Sequence, residues 1–256
     1  MNAVALRPRS FVRVAGPDAE DYLQRMLSND VAALALGESC EALLLTPKAR
    51  VIAPMRVLRR AEDDFLLLTE PELGETLRDQ LLRMRFAAKA EIAVEEHTST
   101  LVFGGTEGIP TEDYGEPAVE VLDADHEPTL DADALEAMRI EAGTPRFGRE
   151  IDDRVLPAEA GLVERAVSLK KGCYPGQEPI ARLHYRGHAN RGLRVLVLEG
   201  DLPEPDAELT YGEKVVGRVT SAVRSNGGIV ALAYVRVEVP ADAELDLGRS
   251  KARPLH

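Results

Sequence analysis

The sequence predicts an α+β protein that ends in a small antiparallel β-barrel or sandwich. Helical and alternating apolar spacings are interleaved through the N-terminal half. From about residue 191 the chain reads as strand after strand between Gly, Asn and Pro turns. The 256 residues are 45% hydrophobic and 29% charged, a globular composition with room for one large domain or two to three small ones. Aromatics make up 4% and Trp is absent, so the core must be Leu, Val, Ile and Ala.

The elements follow in order. Ser10 to Val14 is strand-like and runs into Gly16-Pro17. Pro17 suits a first helical position, where it has no N–H to lose. Ala19, Tyr22, Leu23, Met26 and Leu27 then repeat at helical spacing, predicting a helix over 17–27. Strands are expected at about 41–46, 51–59 and 64–69. Pro71 opens a helix carrying Leu73, Leu77, Leu81 and Met84, and Ala90, Ile92 and Val94 alternate as a half-buried strand. Ser99 to Phe103 is a further strand. Residues 106–130, rich in Gly, Pro, Asp and Glu, read as an exposed connection. Asp131 can cap a helix at 132–142, and Gly143 can end it in a left-handed turn. Leu193 to Leu198, Lys214 to Val219 and Ile229 to Val235 are the terminal strands.

Composition excludes several functions. The 31 Lys and Arg against 44 Asp and Glu leave a net charge of −13, which disfavours direct nucleic-acid binding through bulk charge. No apolar run approaches the length of a membrane span, and the N-terminus lacks the features of a signal peptide. Cys40 and Cys173 allow at most one disulfide, so a reducing cytoplasm is expected. There is no P-loop, no GxGxxG after a strand, no GxSxG and no CxxC. His184 and His188 lie four apart, but Gly187 falls between them and no metal-ligand pattern surrounds them.

One segment stands apart: Leu169-Lys-Lys-Gly-Cys-Tyr-Pro-Gly-Gln-Glu178. Gly172, Pro175 and Gly176 place Cys173 on bent backbone, and Lys170 and Lys171 would favour its thiolate. A buried structural cysteine is the plainer alternative. From 170 to 194, six basic residues face the single acid Glu178, an island of positive charge in an acidic chain. Such an island suits a carboxylate-rich small molecule, a phosphate or a short RNA, or is simply a solvated face.

Lys171 to Glu178 resembles the signature of the YgfZ family of folate-binding proteins, relatives of the aminomethyltransferase (T-protein) of the glycine cleavage system. Arg139-Ile-Glu-Ala-Gly143 with Pro145 is similar to a second family segment. So are Gly16 to Val31, and Gly217 to Ser221 with Ile229 to Val235. The resemblance implies a three-lobed cloverleaf around a channel for tetrahydrofolate, closed by a C-terminal antiparallel barrel. Its expected lobes are 1–46 with 131–190, an inserted ferredoxin-like α+β unit at 47–130, and a barrel at 191–256. It implies a factor that assists assembly or repair of iron–sulfur proteins, tRNA-modifying ones included, through Cys173. Iron–sulfur enzymes or their assembly machinery would be the partners, with no membrane involved. Glu141 would meet the pterin ring, and Lys171, Gln177 and Arg182 would support the thiol or the folate tail. Tyr174 would pack or stack. A folate-dependent one-carbon transferase is the alternative. The catalytic aspartate of aminomethyltransferases has no counterpart in Leu67 to Gly74, where Glu70 and Glu72 stand instead, so that activity is not expected.

Overall fold

The computed structural model describes residues 2–225 and 227–255. The chain runs β1 (Val4–Leu6), β2 (Ser10–Ala15), α1 (Ala19–Met26), β3 (Ser39–Leu45), β4 (Val51–Ala61), β5 (Asp64–Thr69), α2 (Gly74–Met84) and β6 (Glu91–Glu95). It continues through β7 (Ser99–Phe103), β8 (Ile109–Thr111), β9 (Ala118–Leu122), α3 (Ala132–Glu141), α4 (Val163–Ala166) and α5 (Gln177–Arg186). Last come β10 (Arg191–Leu198), β11 (Glu208–Tyr211), β12 (Lys214–Ser225), β13 (Gly228–Arg236), β14 (Leu245–Leu247) and β15 (Ser250–Pro254).

A five-stranded antiparallel sheet has the order β3-β4-β5-β2-β6. α1 and α2 cover one face, burying Tyr22, Leu23, Leu77 and Leu81 against Val12, Val14, Phe65 and Leu67. The Tyr22 hydroxyl donates to Leu81 O at 2.6 Å, fixing one helix on the other. The opposite face carries Phe11, Leu66 and Leu68, which pack on Ile109 of a second sheet, order β1-β7-β9-β8. β5 is therefore buried on both faces, and its continuous Phe-Leu-Leu-Leu run follows from that.

The expected lobe boundary at 46/47 falls inside the first sheet. β3 pairs with β4 along its length, from Ser39↔Leu58 to Leu45↔Val51. The strand pairing thus unites β2 to β6 into one layer. The stretch 106–130, expected as an exposed connection, contributes β8 and β9 instead. Glu120 lies inside β9, wholly buried, because Arg7 and Arg9 reach it at 3.2 and 3.1 Å. A buried acid among turn residues masks the strand pattern.

β10 to β15 close a six-stranded antiparallel barrel, order β10-β13-β12-β11-β14-β15. Every residue of Ile229 to Val235 is buried, and the alternation explains it. Ile229, Ala231, Ala233 and Val235 fill the barrel. Val230 and Leu232 face outward onto Ala137 and Ile140 of α3, and Tyr234 onto the segment before α5. The other side of α3 packs on the second sheet through Leu135 and Met138. Asp131 caps α3 as expected, accepting from Ala134 N at 2.8 Å, and Gly143 follows it with φ +71°.

Candidate functional site

A cavity of about 670 Å³ opens where these layers meet. Its wall is assembled from the β1–β2 link, the turn before α2, α3, the loop 144–149 and α4, with Glu41 and Arg56 from paired strands. Seven arginines and five carboxylates line it, beside apolar Met55, Leu135, Phe147 and Leu162. The volume falls in the usual range for a small-molecule site.

Most of this charge is already paired. Arg7 donates to Asp113 at 2.5 Å and Glu120 at 3.2 Å. Arg165 joins Glu41 at 2.7 Å and also pairs with Asp113, while Arg56 reaches Glu41 at 3.0 Å. Arg139 grips Glu136 through two nitrogens, at 2.9 and 2.7 Å, and reaches buried Glu150 at 3.1 Å. Burial opposes ionisation of Asp113 and Glu120, but their arginines outweigh it. Both stay ionised, Glu120 at about 2 and Asp113 lower still. These pairs are wall rather than reagent.

What remains free defines the chemistry. The Glu70 side chain makes no hydrogen bond among the described residues. Burial raises its carboxyl above the usual range, against the pull of Arg9 and Arg7. At the rim, Arg146 has only a 3.4 Å contact with Glu136, and Arg149 is exposed with no ion pair among the described residues. The cavity thus offers Glu70 within, and toward its mouth the cations Arg146 and Arg149 together with exposed Glu72, which has no ion pair among the described residues.

The predicted residues do not gather in this cavity. Glu141 is exposed and accepts from Ser225 Oγ at 3.0 Å. The cavity face of α3 is Ala132, Leu135, Glu136 and Arg139, a helical stripe. Glu141 lies two residues beyond Arg139 and so points toward the barrel. Arg182 is exposed on α5, away from the cavity lining. Lys171, Cys173, Tyr174 and Gln177 share one loop that is stitched to its neighbours.

In that loop the Lys171 ammonium turns inward, donating to Leu27 O at 2.6 Å and Asn29 O at 2.8 Å. Burial lowers it to about 8. The thiolate-favouring surface cation expected at this position is therefore a buried strap. Lys171 also lies 5.3 Å from the centre of the Tyr174 ring. Tyr174 is packed among Leu43, Leu45 and Ile180, with its hydroxyl buried and without a hydrogen-bond partner among the described residues. Gly176 has φ +84°, and a Cβ there would lie 2.8 Å from Thr46 O and 3.1 Å from Ala49 Cα. Gln177 Nε2 reaches back to Lys171 O at 3.5 Å. Cys173, by contrast, is exposed. Cys40 is partly buried against the first core, and burial pushes its thiol up to about 11.

Sequence reading missed Arg7, Arg9 and the loop 144–149, and dismissed Glu70. The ion pairs that bring them together span about a hundred residues, a separation no local pattern reports. A second cleft, about 890 Å³, lies on the barrel side beside Tyr234 and holds none of the predicted residues. Among the described residues no cluster of His, Cys, Asp and Glu is placed to hold a metal ion, and no helix is long and apolar enough to cross a membrane.

Comparison with known proteins places this architecture. Over the whole chain it superposes on the glycine cleavage system aminomethyltransferase T from Bartonella henselae, with TM-score 0.81, 20% identity and 85% of that chain covered. Residues 190–255 match the CAF17 C-terminal beta-barrel domain. The fold is that of the T-protein aminomethyltransferases. An uncharacterized protein of Haemophilus influenzae is 25% identical over 97% of this chain and 94% of its own. The tRNA-modifying protein YgfZ of Edwardsiella ictaluri is 28% identical over 91% of this chain and 84% of its own. An aminomethyltransferase of Bacillus cytotoxicus is 21% identical over 94% and 81%. Within that fold, the chain is similar over most of its length to YgfZ proteins.

Proposed function

We propose that the cavity binds tetrahydrofolate and that Cys173, on a separate loop, serves in the upkeep of iron–sulfur proteins, including enzymes that modify tRNA. The pattern of unpaired groups carries the folate reading. The pterin's 2-amino-pyrimidinone edge presents two N–H groups, and Glu70 is an acceptor able to take both as a bidentate pair. The other end of a folate is a glutamate with two carboxylates, matched by Arg146 and Arg149 at the rim. Met55, Leu135 and Phe147 supply the apolar wall a ring system needs. The folate would bring its one-carbon chemistry; the chain's own residues bind and orient it.

Support for the thiol's role is its placement. Lys171, Tyr174 and Gln177 are turned to the interior or to the loop itself, and Gly176 sits against the backbone of 46–49. Cys173 alone of these is offered outward. One thiolate cannot hold a four-ligand cluster, so a partner protein must supply or receive the iron–sulfur unit. The relatives named tRNA-modifying proteins support a client among tRNA-modifying enzymes. A soluble cytoplasmic setting fits an exposed free thiol.

One observation favours a second reading. Glu70 keeps a raised carboxyl inside the cavity, the property of a proton-transfer group, which a one-carbon transferase requires. The deciding experiment is complementation of a strain deleted for this gene. Wild type should restore iron–sulfur enzyme activity and tRNA methylthiolation under oxidative stress, while Cys173→Ala and Glu70→Gln should not, at equal protein level. Full rescue by Cys173→Ala ends the thiol reading. Turnover of a formaldehyde-loaded folate by the purified protein would establish the transferase.

A further inference from the structure

The cavity and the thiol loop are separate features, yet one residue touches the supports of both, by its side chain on one side and its main chain on the other. Asn29 follows α1 and is half-buried. Its Nδ2 donates to Glu41 O at 2.7 Å and Arg165 O at 3.4 Å. Its main-chain carbonyl accepts from Lys171 Nζ at 2.8 Å. Glu41 and Arg165 are cavity wall, joined by their ion pair. Lys171 lies two residues from Cys173. Ser28, next in the chain, repeats the stitching. Its hydroxyl donates to Ala166 O at 2.6 Å, and its carbonyl accepts from Ser168 N at 2.9 Å. α4 itself begins at the cavity, beside Leu162, and leads directly into the residues before Cys173.

We propose that Asn29 is a positioning residue that couples the cavity to the thiol: a ligand engaging Arg165 alters the presentation of Cys173 through Asn29 and Lys171. This rests on the folate reading above. Arg165 divides its guanidinium between Glu41 and Asp113. A polar group of a ligand beside it gives that side chain a further partner and restrains α4. The restraint passes to the Arg165 carbonyl, which Asn29 holds, and to the Asn29 carbonyl, which Lys171 holds. The Glu41 and Lys171 contacts are short and part-buried, so they give little when one end moves, and the exposed 3.4 Å contact to Arg165 O is the softest link. Restraint of the loop reduces the excursions by which an exposed thiol is attacked.

The test is the rate of Cys173 alkylation by iodoacetamide, followed by mass spectrometry of the Cys173 peptide from the full-length protein. It is run with and without saturating 5-formyltetrahydrofolate, whose binding is measured separately by calorimetry. In wild type the ligand should slow alkylation about fivefold or more, the lower end of ordinary coupling between sites. Asn29→Ala should bind the ligand nearly as well and lose the slowing. Asn29→Asp keeps the size of the side chain but cannot donate to Glu41 O, so it should lose the slowing too. An unchanged or accelerated rate with ligand bound overturns the coupling, as does full slowing in both variants. No binding in the calorimeter overturns the folate reading instead, and the two failures are read on different instruments.

Discussion

Glu70 carries the sharpest residue-scale contrast. It is a half-buried carboxylate with no hydrogen-bond partner among the described residues, and burial outweighs the pull of Arg9 and Arg7, so the fold gains little from its charge. Glu70→Gln should leave the melting temperature of the free protein unchanged or raised, and should weaken tetrahydrofolate by about 10- to 100-fold, the worth of a lost charged bidentate pair. Glu141→Gln, at a side chain whose hydrogen bond among the described residues is to Ser225, should leave the affinity unaltered. A melting point lowered by several degrees in Glu70→Gln would show that Glu70 is structurally paired. The pH dependence follows from the direction of the shift. The ionised carboxylate is the acceptor, so affinity falls as pH drops through a value above the ordinary 4.5. Titration calorimetry between about pH 7 and pH 4.5 reads this loss, and Glu70→Gln should flatten it.

Lys171 gives the second residue-scale prediction. Its ammonium is lowered from 10.5 to about 8 by burial. Between those values the unfolded chain binds more protons than the folded one, so stability rises with pH across that window. At neutral pH the full cost of the buried charge is present, offset by the Leu27 and Asn29 carbonyls that receive it. Lys171→Met removes the titration but leaves both carbonyls without their donor, at roughly 1–3 kcal/mol each if water does not replace it. Denaturant melts at pH 7 and pH 10 should therefore show wild type gaining stability with pH from this group, and the variant losing that gain.

At the scale of elements, α5 depends on how it begins. Gly176 precedes its first residue in a left-handed conformation, packed on the backbone of the β3–β4 turn. Gly176→Ala faces two obstacles at once, the positive φ and a carbonyl oxygen at 2.8 Å. A loss of about 1–3 kcal/mol is expected, read as a lower urea midpoint at unchanged m-value, with faster alkylation of Cys173 as the loop loosens. An unaltered midpoint would mean that the turn can shift without cost. Sequence reading foresaw most elements because their signals are local: the cap at Asp131, the helical stripe of α2, the turns of the barrel. It failed at β8 and β9. Three residues, Ile-Pro-Thr, make β8, and β9 hides an inward acid whose arginines stand more than a hundred positions away. It singled out the Cys173 loop, yet could not see that Lys171 points inward. That depends on two carbonyls in the loop after α1.

For the whole molecule, the cavity matters because no single layer owns it. Its wall takes residues from the first strands, the turn before α2, α3, the loop 144–149 and α4, while α3 in turn carries the barrel through Ile140 against Val230 and Leu232. A ligand held there ties together parts that would otherwise meet only through side-chain packing. Binding energy should then appear in the main unfolding transition and not in a minor one. At a hundred times the dissociation constant a ligand adds about 2.7 kcal/mol of stability. For a chain of this size each kcal/mol is worth about 2–4 °C, so tetrahydrofolate at that ratio should raise the melting temperature by about 5–10 °C. Calorimetry should show one peak moving as a unit. Arg149→Glu, which reverses a rim cation that has no ion pair among the described residues, should cut the shift while leaving the ligand-free melt in place. Glu70→Gln, binding 10- to 100-fold more weakly, should cut it to about 1–5 °C. A peak that splits, with only part of it moving, would mean that the layers unfold independently and that the ligand grips one wall alone.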